Sequence, residues 1–308
     1  MRVRICLAFL AVTLRLACLD CRVSGLSIRP MTILSFTVLL ALGSLVAGFL
    51  GALTGLGGGV VVVPLLALAF GVDIRYAIGA SLVSVIATSS GAAAAFVREG
   101  YSNIRIGMFL EIATTVGAIV GAMIATHVTT GTIGVVFGLV LLYSAFLSGR
   151  SQPNLPVDPS PDRLATALKL NGAYPVGNAL RSYTVHRVPL GFSLMFGAGT
   201  LSGLLGIGSG AIKVIAMDQA MRIPFKVSTT TSNFMIGVTA AASAGIYLSR
   251  GYIDPGIAMP VMLGVLAGSL LGARVVVRVR TKWLRLVFSV VIVVLGLEMI
   301  YNGFSGKL

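Results

Sequence analysis

Apolar runs of about twenty residues recur along almost the whole chain, and they restrict its fold more than any other feature. A helix of that length crosses a bilayer whose hydrocarbon core is ~30 Å thick. Of the 308 residues, 56% are hydrophobic and only 10% are charged, whereas soluble domains carry roughly 25% charged residues. These values predict an all-α polytopic membrane protein with roughly eight to ten membrane segments.

The formal net charge of +14 fits a membrane protein better than a nucleic-acid-binding protein. Most Lys and Arg residues lie in short loops between apolar runs, as the positive-inside rule describes. The sequence has no basic patch interleaved with aromatic residues, which nucleic-acid binding requires. We therefore expect the lipid bilayer as a partner, and no nucleic acid.

The cysteines Cys6, Cys18 and Cys21 all lie in the N-terminal extension, residues 1–30. The rest of the chain offers neither a disulfide framework nor a cysteine metal site, so we expect no metal and no cofactor. The extension begins like a signal peptide, with basic residues before a short apolar region that Arg15 interrupts. A cleaved signal, an additional anchor and a translation start at Met31 are three open alternatives.

An offset of 151 residues brings the second half of the chain into register with the first. The matches continue without a gap over most of each half. They include the pairs Gly59 and Gly210, Ser81 and Ser232, Thr88 and Thr239, and Gly117 and Gly268. We interpret this register as a duplication, with a first transmembrane repeat at 31–148 and a second at 189–308.

Each repeat contains a glycine cluster that interrupts an apolar run. The first reads TGLGGG at 54–59, and the second reads GIGSG at 206–210. The apolar run after each cluster spans only ~18 Å at about 1.5 Å per residue, which is too short to cross the bilayer. We predict that each repeat consists of a broken or re-entrant helical hairpin followed by three transmembrane helices.

One pair of equivalent loops differs in charge, which indicates that the two repeats have inverted topology. Residues 125–134 contain no Lys or Arg, whereas the matching loop carries Arg274, Arg278, Arg280, Lys282 and Arg285. Loops of such different charge are expected on opposite sides of the membrane. With the basic loop in the cytoplasm, the linker at 149–188 is cytoplasmic too. Its segments LKLNGAYPV and LRSYTVHRV alternate apolar and polar residues, which predicts a small β-hairpin.

These motifs resemble the TauE/SafE family of membrane transporters. The resemblance is carried by TGLGGGVVVVPLL at 54–66, LSGLLGIGSG at 201–210, and the linker pattern LKLNGAY before YTVHRV. It implies a secondary transporter rather than an enzyme, located in a bacterial-type inner (plasma) membrane and exporting small anions of the sulfite and organosulfonate class. A homodimer is the alternative to a monomer. The second repeat departs from the glycine-rich form at Ser209 and Lys213, where the first has Gly58 and Val62.

The two glycine clusters form the candidate anion site. A helix that begins near the membrane midplane presents free N–H groups and the positive end of its dipole, and glycine allows close approach. Transporters built from inverted repeats place their substrates at such breaks, although glycines also serve close helix packing. The candidate substrate-binding residues are Thr54, Gly55, Gly57, Gly58, Gly59, Ser81, Gly206, Gly208, Ser209, Gly210, Lys213, Ser232 and Asn233.

Two ionisable residues lie inside predicted membrane segments. Lys213 follows the second cluster, where an ammonium is costly unless it is paired or hydrated. It either provides a counter-charge for the anion or forms a structural pair with Glu111, Asp218 or Glu298. Glu111 is a candidate for proton coupling, with a salt bridge or an interfacial position as the alternatives.

Two rival functions share these features. An anion channel, or a transporter of another small solute, would use the same glycine clusters. An intramembrane serine protease would use Ser209 as its nucleophile and would need a base within reach. His127 and His186 are the histidines of the chain, and neither belongs to a later membrane segment. Gly58 occupies the equivalent position in the first repeat, which disfavours the protease.

Reporter fusions test the predicted topology. Fusions in the linker and near Arg278 should both report the cytoplasm, and a fusion after Leu308 should report the outside, because basic loops stay on the cytoplasmic side. The inverted arrangement would be wrong if the linker and the Arg278 loop reported opposite faces.

Overall fold

The chain folds into helices with one small pair of strands. The computed structural model describes residues 33–54, 58–98, 102–149, 162–176, 179–276 and 281–306. The alternatives for residues 1–30 therefore lie outside the described residues. Contacts group residues 39–308 into one unit, and residues 33–38 precede it as the first turns of the first helix.

The two halves contain the same series of helices. The first half has α1 (Ile33–Thr54), α2 (Gly59–Pro64) with a π-helical continuation (Leu65–Ala69), α3 (Ile74–Arg98), α4 (Ile104–His127) and α5 (Thr130–Gly149). The linker contains α6 (Arg163–Ala167), β1 (Gly172–Val176) and β2 (Ala179–Tyr183). The second half has α7 (Val188–Leu205), α8 (Gly210–Ile215) with a π-helical continuation (Ala216–Ala220), α9 (Phe225–Ser249), α10 (Pro255–Val276) and α11 (Thr281–Phe304).

Helix length and composition fit a membrane. Among the described residues, four helical stretches are long and apolar enough to span one: Leu34–Gly51, Ile104–His127, Val188–Leu205 and Pro255–Gly272. On α4, the side chains of Met108, Ile112 and Val116 form an exposed apolar stripe. On α10, Met259 and Leu263 occupy the equivalent positions and are also exposed. Such faces need lipid rather than water around them, so the predicted helical membrane protein is confirmed.

The short helices after the glycine clusters repeat in backbone detail. Each of them changes from α-helical to π-helical hydrogen bonding at the same position of the register. Each then closes with the same bond, from Val72 N–H to the Leu66 oxygen at 3.1 Å and from Ile223 N–H to the Met217 oxygen at 3.0 Å. Proline does not cause the change in the second half, because no proline lies within α8 or its π-helical continuation.

Helices of one half pack closely against helices of the other through glycine. On α4, a Cβ added at Gly121 would overlap the carbonyl oxygen of Thr200 on α7, and one at Gly203 would overlap that of Ala118. The pair α1 and α10 packs in the same way, with Gly268 against the carbonyl oxygen of Leu45. Helix backbones can approach this closely only where a side chain is absent. These glycines therefore serve helix packing.

The equivalent helices α5 and α11 pack antiparallel to each other. Gly131, at the start of α5, lies beside Gly303, at the end of α11, and Gly138 lies beside Gly296. The start of each helix thus meets the end of the other.

The linker hairpin is confirmed, and it is attached to the helices. β1 and β2 pair antiparallel, with Gly172 opposite Tyr183. Asn103, at the start of α4, donates from Nδ2 to the Tyr183 hydroxyl oxygen at 2.7 Å. Burial raises the pKa of this hydroxyl, which keeps it protonated. The backbone N–H of His186 donates at 3.1 Å to the oxygen of Met221, which directly follows the π-helical continuation of α8.

Close packing of α7 can be tested by adding one methyl group. Gly203→Ala should lower the unfolding temperature, because overpacking typically costs about 1–3 kcal/mol. Gly197→Ala, on the same helix, is the matched control: an added Cβ there meets nothing within 4 Å. The control should leave stability unchanged or raise it, since alanine favours a helix over glycine by roughly 0.5–1 kcal/mol. Equal unfolding temperatures for the two variants in detergent would contradict this packing.

Candidate functional site

The second glycine cluster forms the turn between α7 and α8. Gly206 and Gly208 have φ of +67° and +69°, and Ser209 has φ of +42°. A left-handed conformation is uncommon for a residue with a side chain. The helix is therefore fully broken between Leu205 and Gly210.

The first cluster is described only at its end. Thr54 is the last residue of α1, with no side-chain position described, and Gly55 and Gly57 lie outside the described residues. Gly58 precedes α2, and its carbonyl oxygen accepts from the N–H groups of both Val61 and Val62, at 3.2 and 3.1 Å.

Ser81 on α3 lies where the two clusters meet. Its hydroxyl donates to the carbonyl oxygen of Gly206 at 2.9 Å. A Cβ added at Gly59 would lie 2.7 Å from Ser81 Oγ and 3.1 Å from that same oxygen. Ser232, which is equivalent to Ser81, donates to the carbonyl oxygen of Gly210 at 3.3 Å. The structure thus brings five of the predicted residues together around the second break.

Asn233 does not share this position. It follows Ser232 on α9 and is half-buried. Since an α-helix turns by about 100° per residue, the two side chains leave the helix in different directions. Of these two side chains, Ser232 is the one that the described hydrogen bonds connect to the second cluster.

A small cavity of about 10 Å³ lies beside the second break, lined by Val60, Val140, Ser144, Ile207, Ser209, Gly210 and Ile212. It has room for about one water molecule. Ser209 is only 4% exposed, and its hydroxyl has no hydrogen-bond partner among the described residues. An unsatisfied buried polar group costs about 1–3 kcal/mol. This hydroxyl is therefore available to a polar group from outside the protein.

Lys213, Thr239 and Glu111 form a connected group, which we name the buried triad. Lys213 on α8 is 0% exposed, and its Nζ donates to Thr239 Oγ1 at 2.6 Å. The Thr239 hydroxyl lies 2.7 Å from Glu111 Oε1, to which it donates. Of the pairing alternatives for Lys213, the structure therefore selects Glu111, with a hydroxyl between the two charges. Glu111 Oε2 is buried and has no partner among the described residues.

The equivalent positions in the register carry no charge. They are occupied by Val62, Thr88 and Met262. Val62 is fully buried, and the Thr88 hydroxyl donates within its own helix, to the Ser84 oxygen at 3.0 Å. The duplicated scaffold thus packs at this place without an ion pair, so the fold does not require the triad.

Sequence reasoning missed Thr239 as a member of this group. Its hydroxyl lies in an apolar segment, and its mate Thr88 was visible in the register, but these signals do not reveal its partners. They depend on how α9 packs against α4 and α8.

Comparison with known proteins gives a consistent result. The family profile "Sulfite exporter TauE/SafE" matches residues 40–299. The chain is 27% identical over 278 residues to "Probable membrane transporter protein YunE" of Bacillus subtilis, covering 88% of this chain and 99% of the relative. It is 26% identical over 276 residues to "Probable membrane transporter protein MJ0441" of Methanocaldococcus jannaschii, covering 85% and 94%. No solved structure gives a significant match.

Two alanine substitutions separate backbone strain from crowding at the second break. Gly206→Ala and Gly251→Ala both place a side chain at positive φ, which costs roughly 1–2 kcal/mol. At Gly206 the new Cβ would also lie 2.7 Å from a methyl group of Ile78. At Gly251 the new Cβ would meet no atom within 4 Å. Gly206→Ala should therefore lower the unfolding temperature more than Gly251→Ala does. An equal loss in both would show that the break is not closely packed.

Proposed function

The chain belongs to the sulfite exporter TauE/SafE family of membrane transporters, and from this premise we propose that it is a secondary transporter that exports small anions of the sulfite and organosulfonate class. It is an integral membrane protein of a bacterial-type plasma membrane. The observation that carries the proposed site is a fully buried lysine one turn beyond a broken helix, close in sequence to a serine hydroxyl that has no partner among the described residues.

Lys213 is suited to bind an oxyanion. An ammonium has three N–H donors, and among the described residues its acceptor is Thr239 alone. The remaining donors can bind oxygen atoms of a substrate. Ser209 and the backbone N–H groups at the start of α8 provide further donors for the same anion. We therefore propose that the anion binds between Lys213 and the second break. Ser209 lines the small cavity there, whereas Lys213 lies outside its lining, so the two residues can share one anion only after the site opens.

The size of the cavity implies that the site must open. A sulfite ion is several times larger than the single water that about 10 Å³ accommodates. Transport then requires that α8 and the elements around it move apart, first towards one side of the membrane and then towards the other. Such alternating access is the usual mechanism of transporters with internal repeats.

Inverted topology of the two halves supports this mechanism. Two equivalent helices that pack antiparallel, as α5 and α11 do, run in opposite directions through the membrane, which is expected of inverted repeats. The close approach of Gly59, in the first half, to the Gly206 oxygen, in the second half, supports a candidate site between the two halves. Substrates of many secondary transporters bind at that interface.

The substrate class and the direction come from the family description, "Sulfite exporter". The names of the relatives add membrane transport and no substrate. The proposed donors are compatible with this class, because the oxygens of sulfite and of sulfonates are hydrogen-bond acceptors that suit N–H and O–H donors.

The rival functions have less support. A protease would need a base at Ser209, but the described histidines bond elsewhere: His127 Nδ1 lies 3.0 Å from the Met123 oxygen, and His186 Nε2 lies 3.1 Å from Thr184 Oγ1. A channel needs a continuous path, and the cavity at the second break holds about one water. A transporter of another small solute remains the alternative that a substrate panel would reveal.

Removing both charges of the triad tests the proposal. Lys213→Met alone leaves Glu111 buried without its counter-charge and should destabilise the protein, whereas Lys213→Met with Glu111→Gln should restore the unfolding temperature. Both variants should lose about 2–3 kcal/mol of anion binding free energy, or roughly a 30- to 160-fold rise in Kd. Binding and proteoliposome export of sulfite, thiosulfate, taurine and sulfoacetate provide the measurement. A double variant that exports these anions as the wild type does would refute the site.

A further inference from the structure

We infer that the buried triad couples each bound anion to one proton, so that the chain moves a singly charged anion together with a proton. The inference rests on the proposed function, because the anion must contact Lys213. It adds the coupling ion, the stoichiometry and the charge of the substrate. Because protons enter a bacterial cell down their own gradient, an anion that leaves the cell together with a proton is exported only when its outward gradient exceeds the inward proton gradient.

The first argument is charge balance inside the site. Without substrate, the positive charge of Lys213 and the negative charge of Glu111 compensate each other through Thr239. An anion bound to Lys213 would leave one negative charge in excess, and a buried charge without a counter-charge costs several kcal/mol. A proton on Glu111 removes that excess. Anion and proton therefore favour each other's binding.

The second argument is that Thr239 can satisfy both protonation states of Glu111 without moving. Its hydroxyl oxygen lies 2.7 Å from Glu111 Oε1 and 2.9 Å from the Met235 carbonyl oxygen. When Glu111 is ionised, Thr239 donates to it. When Glu111 is protonated, the carboxyl can donate to Thr239, which then donates to Met235.

Glu111 can also hold the proton in isolation from other charges. It lies on α4, which packs against α7 and α9, and α7 contains no ionisable residue. The other titratable or charged residues on α4, α8 and its π-helical continuation, and α9 are Arg105, His127, Lys213, Asp218, Lys226 and Tyr247. Lys226 lies roughly 20 Å along α9 from Thr239, and the Tyr247 hydroxyl donates to the Gly203 oxygen at 3.2 Å. Arg105 is exposed and lies roughly 9 Å along α4 from Glu111. Of these groups, Lys213 is the one that the described hydrogen bonds connect to Glu111.

The stoichiometry follows from the asymmetry of the repeat. Val62, Thr88 and Met262 occupy the equivalent positions, and none of them titrates. One lysine and one carboxyl group keep the site neutral when one monoanion and one proton are bound. Hydrogen sulfite and simple sulfonates such as isethionate carry that single charge, whereas a dianion such as sulfate, thiosulfate or sulfoacetate would leave a negative charge in the site.

Proteoliposomes with an imposed pH gradient provide the test. The probes are sulfite, with the passive flux into protein-free liposomes subtracted, and isethionate, a sulfonate of fixed single charge. In the wild type, one unit of pH difference across the membrane should concentrate the transported probe about tenfold on the alkaline side, since one proton moves with each anion. A membrane potential without a pH gradient should cause no accumulation. Glu111→Gln should abolish accumulation while exchange of labelled for unlabelled probe continues at an altered rate.

Thr239→Val keeps the side-chain shape and removes the hydroxyl, so it should lose most of the response to pH. Thr88→Val is the matched control in the first half, because the described hydrogen bonds of the Thr88 hydroxyl all lie within its own helix. This variant should accumulate the probe as the wild type does. Full accumulation by folded Glu111→Gln overturns the inference. If that variant does not fold, full accumulation by Thr239→Val overturns it. Accumulation of the probe to the same level by a membrane potential alone would also overturn the inference. A wild type that moves neither probe would instead refute the proposed function.

Discussion

Lipid offers no hydrogen bonds, so every polar group in the interior of this protein needs a partner within the protein or in a ligand. This constraint explains the form of both breaks. The carbonyl oxygen freed at Gly206 accepts from Ser81, and the one at Gly58 accepts from the first turn of α2. The exceptions then become informative. Among the described residues, six buried side-chain atoms have no partner: Ser44 Oγ, Arg75 Nε, Ser102 Oγ, Glu111 Oε2, Ser202 Oγ and Ser209 Oγ. Of these atoms, Ser209 Oγ and Glu111 Oε2 belong to the candidate site.

Duplication supplies an internal comparison that a single chain rarely offers. The helices that follow the clusters have the same bounds in both halves, and their π-helical continuations close with the same hydrogen bond. Against this background, Lys213 and Glu111 differ in kind from Val62 and Met262. A scaffold that packs without a buried ion pair in one half has no structural need for it in the other. We therefore attribute the pair to function.

Much of the fold could be predicted because the apolar runs are bounded by glycine, proline and charged residues. The expected position of each short helix, at the end of a glycine cluster, agrees with the structure, as does the linker hairpin. Side-chain partners could not be predicted in this way. The pairing of Lys213 depends on the packing of three helices, and Asn233 differs from Ser232 only by the rotation of α9. Thr239 was missed for the same reason.

Difference infrared spectroscopy on the protein in lipid tests the central claim most directly, because it detects the protonation of a single carboxyl group when an anion binds. The account predicts that sulfite or isethionate produces the carbonyl band of a protonated carboxyl group in the wild type and in Thr88→Val. The same band should be absent in Glu111→Gln and in Lys213→Met. Saturable binding of either anion without this band would show that Glu111 keeps its charge, and would contradict the account.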